Sequence, residues 1–401
     1  MQKGSFQWMK SINKTMILNK IRVCGSISRA QIAKDTKLTP PTVSSIVKEL
    51  IEEGIVIESQ QGQSNGGRKP TMLVLNEQGF YVLGLDVGPV KIRTVICNIN
   101  GEVLSNHIRN LPSRITNDIL LDLLKEEIHF MLNRFPDSHR QLIGIGIGMH
   151  GVVDVKQGNC LFAPNLQLRN IPIQEELENH FQVTVKVEND ARVMALGETW
   201  FVNEHKKNGT IVTLNIGQGI GAGIVVEGRL IHGEHNLAGE IGHMSIDLSG
   251  HKCSCGNFGC LQTFASGSAI KERALKELSM GKDSLLLDIV KSDLTKIEAK
   301  TVYEAACKSD QLSIDLLHNT GIYLGIGITN LIHLLNPTKI ILAGGVTNAG
   351  DFILKGIRDT VAGRALTQDA KSTEIVISKL GEFSAAIGSA VLVLEDLFSV
   401  S

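Results

Sequence analysis

Three of the seven cysteines stand within eight positions, in "HKCSCGNFGC", at the spacing C-x-C-x4-C of Cys253, Cys255 and Cys260. Closely spaced thiols in a chain with no disulfide-rich character read as metal ligands rather than bridges. Tetrahedral zinc takes four nitrogen or sulfur ligands, so one is still owed. Two histidines can supply it, His243 in the run Glu240-Ile-Gly-His243 and His251 just before the cysteines. Four protein ligands leave no position for water, which makes such a zinc structural rather than catalytic.

A loop of that kind needs a scaffold, and the chain divides by charge before it divides by pattern. Residues 1–75 hold 11 Lys and Arg against 5 Asp and Glu, whereas the whole chain of 401 residues has a formal charge of -1. A basic head on an acidic body is suited to a polyanion. Hydrophobic residues make up 43% and charged residues 20%, which excludes a disordered or fibrous chain. No run reaches the roughly 18 apolar residues of a membrane span, and the N-terminus lacks the apolar core of a signal peptide, so a cytoplasmic protein is expected.

Within the head, Ile12, Met16, Ile17 and Ile21 recur at helical spacing. Ser28 with Gln31 forms a capping box for a short second helix through Thr36. Thr39 caps a third helix that Pro40 opens, with Val43, Ile46, Val47 and Leu50 as its buried stripe and Gly54 at its end. These are the proportions of a helix-turn-helix. The groups placed to meet DNA are Ser28 and Arg29 at the second helix, and Thr39, Thr42, Ser44, Ser45 and Lys48 on the third. Strand, Gly-rich turn and strand follow as a wing, whose tip "GGRKP" offers Arg68 and Lys69 to a minor groove. The head is therefore a winged helix-turn-helix over 1–77.

Beyond residue 78, glycine-bounded strands alternate with helical stretches such as "DILLDLLKEEIHFMLNRF", an α/β pattern. Two strand turns rich in glycine, Asp86-Val87-Gly88 and "GQGIGAG" at 217–223, lie about 130 positions apart and point to a duplicated, two-lobed fold of the actin or sugar-kinase kind.

"EIGHM" followed by "CSCGNFGC", with "VENDA" upstream and the winged head in front, resembles the ROK family of repressors and sugar kinases over essentially the whole chain. The likeness to its Gram-positive xylose repressors is carried by "GQSNGGRKPTMLVLN", "HKCSCGNFGC" and "YLGIGITN". The resemblance implies two ribonuclease-H-like lobes, 78–195 joined by a C-terminal helix at about 382–401, and 196–381 with the zinc loop, and a sugar held between them. It favours His243 as the fourth zinc ligand. It assigns the sugar to Asn189, Asp190, Glu240 and His243, with Gln262 at a position where the family has glutamate, and it makes Asp190 the general base in the kinases. His150-Gly151 stands where the family has Pro-Gly.

Paired carboxylates and amides suit a sugar because each can meet two neighbouring hydroxyls. A kinase also needs phosphate-binding turns, and here the first reads Asp86-Val87-Gly88-Pro89-Val90-Lys91 where the family's kinases read Asp-x-Gly-Gly-Thr-Lys. Proline brings no N–H and valine no hydroxyl. The expectation is a sugar-responsive repressor with no catalytic residue, binding double-stranded operator DNA as a homodimer or tetramer with xylose, glucose or an N-acetylated hexosamine as effector. A sugar kinase, or a repressor controlled by protein sequestration, is the alternative.

Overall fold

The computed structural model describes residues 6–61, 70–135, 140–200 and 209–398. The chain divides into two compact units, residues 1–193 with 385–401, and residues 194–384.

The first unit opens with α1 (Phe6–Cys24), β1 (Ile27–Ser28), α2 (Arg29–Thr36), α3 (Pro40–Glu52), β2 (Val56–Gln61) and β3 (Thr71–Leu75). Ser28 accepts the Gln31 N–H and Thr39 the Thr42 N–H, so both helices start where their cap residues predict. The capping box at Ser28 is half made: the Gln31 amide donates forward to Asp35 one turn on, instead of returning to Ser28. Val43, Ile46, Val47 and Leu50 are buried and share a core with Ile17, Ile21, Ile32 and Leu73, while Met16 is exposed. Strand β3 pairs with both β1 and β2 to form the wing sheet.

The body of this unit runs through β4 (Phe80–Val87), β5 (Lys91–Asn98), β6 (Val103–Asn110), α4 (Asn117–Arg134), β7 (Gln141–Met149), β8 (Val152–Asp154), β9 (Asn159–Ala163), β10 (Leu168–Ile171), α5 (Ile173–Phe181), β11 (Thr184–Asn189) and α6 (Asp190–Trp200). Its five-stranded sheet has the order β11-β7-β4-β5-β6, with β4, β7 and β11 parallel and the hairpins of β4, β5 and β6 antiparallel.

The second unit contains β12 (Thr210–Ile216), β13 (Ile220–Val226), β14 (Arg229–Leu230), α7 (Gln262–Ala265), α8 (Gly267–Ser279), α9 (Leu286–Ile289), α10 (Ala299–Ala306), α11 (Gln311–Leu335), β15 (Lys339–Ala343), α12 (Asp351–Arg364), α13 (Gln368–Lys371) and β16 (Glu374–Ile377). Its sheet, β14-β13-β12-β15-β16, repeats the first in order and direction: two antiparallel hairpins and then two parallel strands. The two glycine-rich turns occupy equivalent places, between the first two strands of each sheet. The duplication expected from those turns is thus a duplication of topology, the ribonuclease-H-like arrangement of actin and sugar kinases.

The chain closes with α14 (Ser384–Phe398), which packs in the first unit. In "LIGIGIGM" the glycines of β7 face this helix, and a methyl on Gly146 would stand 1.8 Å from the Ser389 carbonyl. On β4 a methyl at Gly84 would meet the Ala386 carbonyl at 2.1 Å. Only glycine lets a helix lie this close on a sheet. Among the described residues no helix is long and apolar enough to cross a membrane.

Candidate functional site

In the second unit the chain leaves β14 and makes a single 3-10 turn, Ile241–His243, preceded by Glu240. The following loop doubles back in two short bridges, Ser245 with Cys260 and Lys252 with Phe258, which bring the cysteines under His243. Gly259 has a φ of +67°, and a methyl there would fall 1.5 Å from the Asp247 carbonyl, so glycine is obligatory at that crossing. One donor atom from each of His243, Cys253, Cys255 and Cys260 lies within 4.8 Å of the others. His243 Nδ1 is 3.6 Å from Cys253 Sγ, and Cys255 Sγ is 3.7 Å from Cys260 Sγ. With zinc–sulfur bonds of about 2.3 Å, the edges of a tetrahedral site are about 3.8 Å, so the set fits zinc. His251, the other histidine open from sequence, is exposed beside the Phe264 ring.

The thiols fit a cation electrostatically as well. Burial pushes Cys253 up, but the Cys255 main-chain N–H, the Gln262 amide and the neighbouring thiols outweigh it and bring it down to about 6. Cys260 is pushed up to about 12 by burial and by those same neighbours. Crowded thiols accept one negative charge readily and further ones only with a cation among them. All seven cysteines are free thiols. Gln262, at the start of α7, donates its amide to Cys253 Sγ at 3.2 Å.

In the first unit a second polar cluster sits where β4, β5, β7 and α6 converge. Asp86 pairs across the hairpin with Arg93, whose guanidinium donates to its carboxylate at 2.8 Å. Asp86 is 6% exposed; burial pushes its carboxyl up to about 6, with Arg93 pulling against that shift and Asp190 adding to it. His150 Nδ1 lies 3.7 Å from the Asp190 carboxylate. Asn189 is occupied locally: its amide donates to the Gly151 carbonyl at 2.9 Å, and its oxygen accepts the Ala191 and Arg192 N–H groups at the start of α6. Beneath it, Glu188 and Arg192 form a buried ion pair at 3.2 Å, and Glu188 also accepts the Asn189 N–H. A buried pair with further hydrogen bonds holds the Asn189-Asp190 turn in one geometry.

Sequence reasoning passed over Asp86 with Arg93 as a pair, and His150 as a neighbour of Asp190. The first was countable: a hairpin closed by the Gly88 N–H on the Lys91 carbonyl sets residue 86 opposite 93. The second depends on β7 and β11 lying side by side, which no spacing reveals.

In the head, Ser44, Ser45 and Lys48 are exposed on α3, and Lys48 is paired only loosely with Glu52 at 3.7 Å. Thr42 and Thr39 share a hydroxyl hydrogen bond of 2.8 Å. Ser28 is engaged as the α2 cap, and Arg29 donates to Glu58 on β2 at 2.7 Å. Arg68 and Lys69 lie outside the described residues.

Residues 82–396 match the sequence profile of the ROK family, and residues 11–57 that of a winged helix-turn-helix DNA-binding domain. The chain belongs to the ROK family. The xylose repressor of Bacillus subtilis is 34% identical over 396 residues, 98% of this chain and 97% of that protein. The DNA-binding transcriptional dual regulator NagC of Escherichia coli is 33% identical over 98% of this chain and 94% of its own. Among solved structures, a ROK family transcriptional regulator described as a homolog of the E. coli MLC protein superposes with a TM-score of 0.85, at 29% identity, over 98% of this chain and 97% of its own. A ROK glucokinase from Streptomyces griseus, crystallised with glucose and AMPPNP, reaches a TM-score of 0.70 at 28% identity. It covers 78% of this ROK chain and 98% of its own.

Proposed function

We propose that this ROK protein is a transcriptional repressor whose operator affinity is lowered by a small sugar, with xylose the first effector to test. The observation that carries this reading is likeness to repressors along the entire chain, winged head and ROK body together. Double-stranded DNA is met by Thr42, Ser44, Ser45 and Lys48 of α3, with the wing carrying Arg68 and Lys69 to a minor groove. Ser28, Arg29 and Thr39 hold the helices that present them. A homodimer or tetramer sets two heads on a palindromic operator.

Groups of the kind that grip sugar hydroxyls are Asn189 and Asp190 in the first unit and, separately, Glu240 and His243 in the second. His243 uses Nδ1 toward the thiols, leaving Nε2 for a hydroxyl. Zinc on His243, Cys253, Cys255 and Cys260 would supply a structural cross-link for the loop.

The first-unit cluster favours regulation over phosphoryl transfer. The turn after Asp86 spends its Gly88 N–H on the Lys91 carbonyl and continues with Pro89, which has none. Arg93 already neutralises Asp86, the carboxylate of that turn. Asp190 retains a binding role toward hydroxyls without a phosphoryl donor.

Coupling to the head runs through α14. Gly148, Asp190 and Ser389 are immediate neighbours, and the far end of the same helix touches α1 through Phe398. Sugar releases DNA only by as much as it prefers the non-binding state.

The test uses DNA selected from genomic fragments by the full-length protein, with affinity measured at fixed salt with and without xylose, glucose and N-acetylglucosamine. One sugar is expected to weaken DNA binding tenfold or more. A sugar that binds by calorimetry and leaves DNA affinity unchanged overturns the coupling. Turnover of ATP with Mg²⁺ and sugar, abolished by Asp190→Asn, overturns the regulator reading.

A further inference from the structure

We infer that Gln262 serves the metal centre, one N–H of its amide holding the Cys253 thiolate; this rests on the zinc reading above. The backbone at Gln262 is fixed from both sides. The preceding Leu261 is buried and donates its N–H to the Met244 carbonyl, next to His243, and the Gln262 carbonyl accepts the Ser266 N–H. From that position the side chain turns back onto the loop, with Nε2 at 3.2 Å from Cys253 Sγ. Its Oε1 lies over two glycines, 3.3 Å from where a methyl on Gly219 would be and 3.2 Å from one on Gly242. The amide therefore spans from the cysteine loop to the β12–β13 turn.

The choice of residue follows from charge. A metal-bound thiolate is an acceptor, and a hydrogen bond from a neighbouring N–H stabilises it as a ligand. An amide can donate; a carboxylate of the same shape can only accept, and would set a second negative charge against the sulfur. Glutamine is the isostere that satisfies Cys253, with one of its two amide N–H donors directed at that sulfur. Partners that orient metal ligands in this way typically contribute 10- to 100-fold in metal affinity.

The experiment loads full-length protein with one equivalent of zinc and measures its affinity by competition with a chromophoric chelator, for the natural chain, Gln262→Ala and Gln262→Glu. Gln262→Ala is expected to bind zinc about tenfold more weakly, and Gln262→Glu more weakly still. Cobalt substitution gives a second readout that does not depend on stability. Loss of the N–H raises the sulfur lone pair, so the sulfur-to-cobalt charge-transfer band moves to lower energy in Gln262→Ala. Equal zinc affinity in all three proteins with an unmoved cobalt band overturns the role of Gln262 while leaving the zinc site standing. Failure of the natural chain to hold one zinc overturns the metal reading itself, and this inference with it.

Discussion

Asn19 of the first helix donates its side-chain amide to the main-chain carbonyl of Phe398, 2.7 Å away across 379 positions of sequence. Arg22, one turn on, lies over the Phe398 ring at 5.3 Å. The DNA-binding head is thereby fastened to the last turn of the helix that lies on the glycine face of the first-unit sheet. Asn19→Ala removes the hydrogen bond to Phe398, about 1 kcal/mol of docking, together with two contacts inside α1, to the Thr15 carbonyl and from Arg22. The expected result is intact DNA binding and intact sugar binding, with a smaller sugar-induced change in DNA affinity, read by fluorescence anisotropy with and without effector.

Cys253→Ser should abolish stoichiometric zinc, as read by elemental analysis of dialysed protein. A loss of about 3 kcal/mol in a unit of this size lowers its melting temperature on the order of 10 °C. His251→Ala, outside the cluster, should change neither quantity.

Asp190→Asn should weaken sugar binding about 100-fold, the cost of about 3 kcal/mol for losing a charged hydrogen-bond acceptor. Operator affinity without sugar should be unchanged, because Asp190 stands at the start of α6 in the body and not on the winged head. Calorimetry reports the first and anisotropy the second.

Asp86 gives the protein a defined pH response. Its carboxyl stands at about 6 in the fold, above the ordinary aspartate value of about 3.9, so between those values the folded state binds the extra proton. Stability from this group is present in full below about pH 4, falls as pH rises through 6, and is level above that, a change of about 3 kcal/mol. Burial is the largest cause of the rise, with Arg93 and His150 pulling against it and Asp190 adding to it. Asp86→Asn should remove this component, visible as a flatter difference between urea unfolding free energies at pH 4.5 and pH 7.

Lys48→Ala should weaken operator binding similarly across DNA sequences and reduce the salt slope by about 1, as expected for one phosphate contact. Ser45→Ala should change preference among operator variants more than it changes the salt slope.

The sequence by itself determined the winged head, because caps, Pro40 and the Val43, Ile46, Val47, Leu50 stripe are local signals. It also determined the α/β body, the duplication and the cysteine cluster, all written in periodicity and spacing. Tertiary structure decided what depends on strands and loops meeting from far apart. It brought His243 and not His251 under the cysteines, because only the paired bridges of that loop set the distances. It set His150 beside Asp190 through the β7–β11 pairing, and turned the Gln262 amide onto sulfur. The alternating glycines of β7 were legible as a strand, but their purpose appears only with α14 lying on them, since a missing side chain records no partner until the partner is in place.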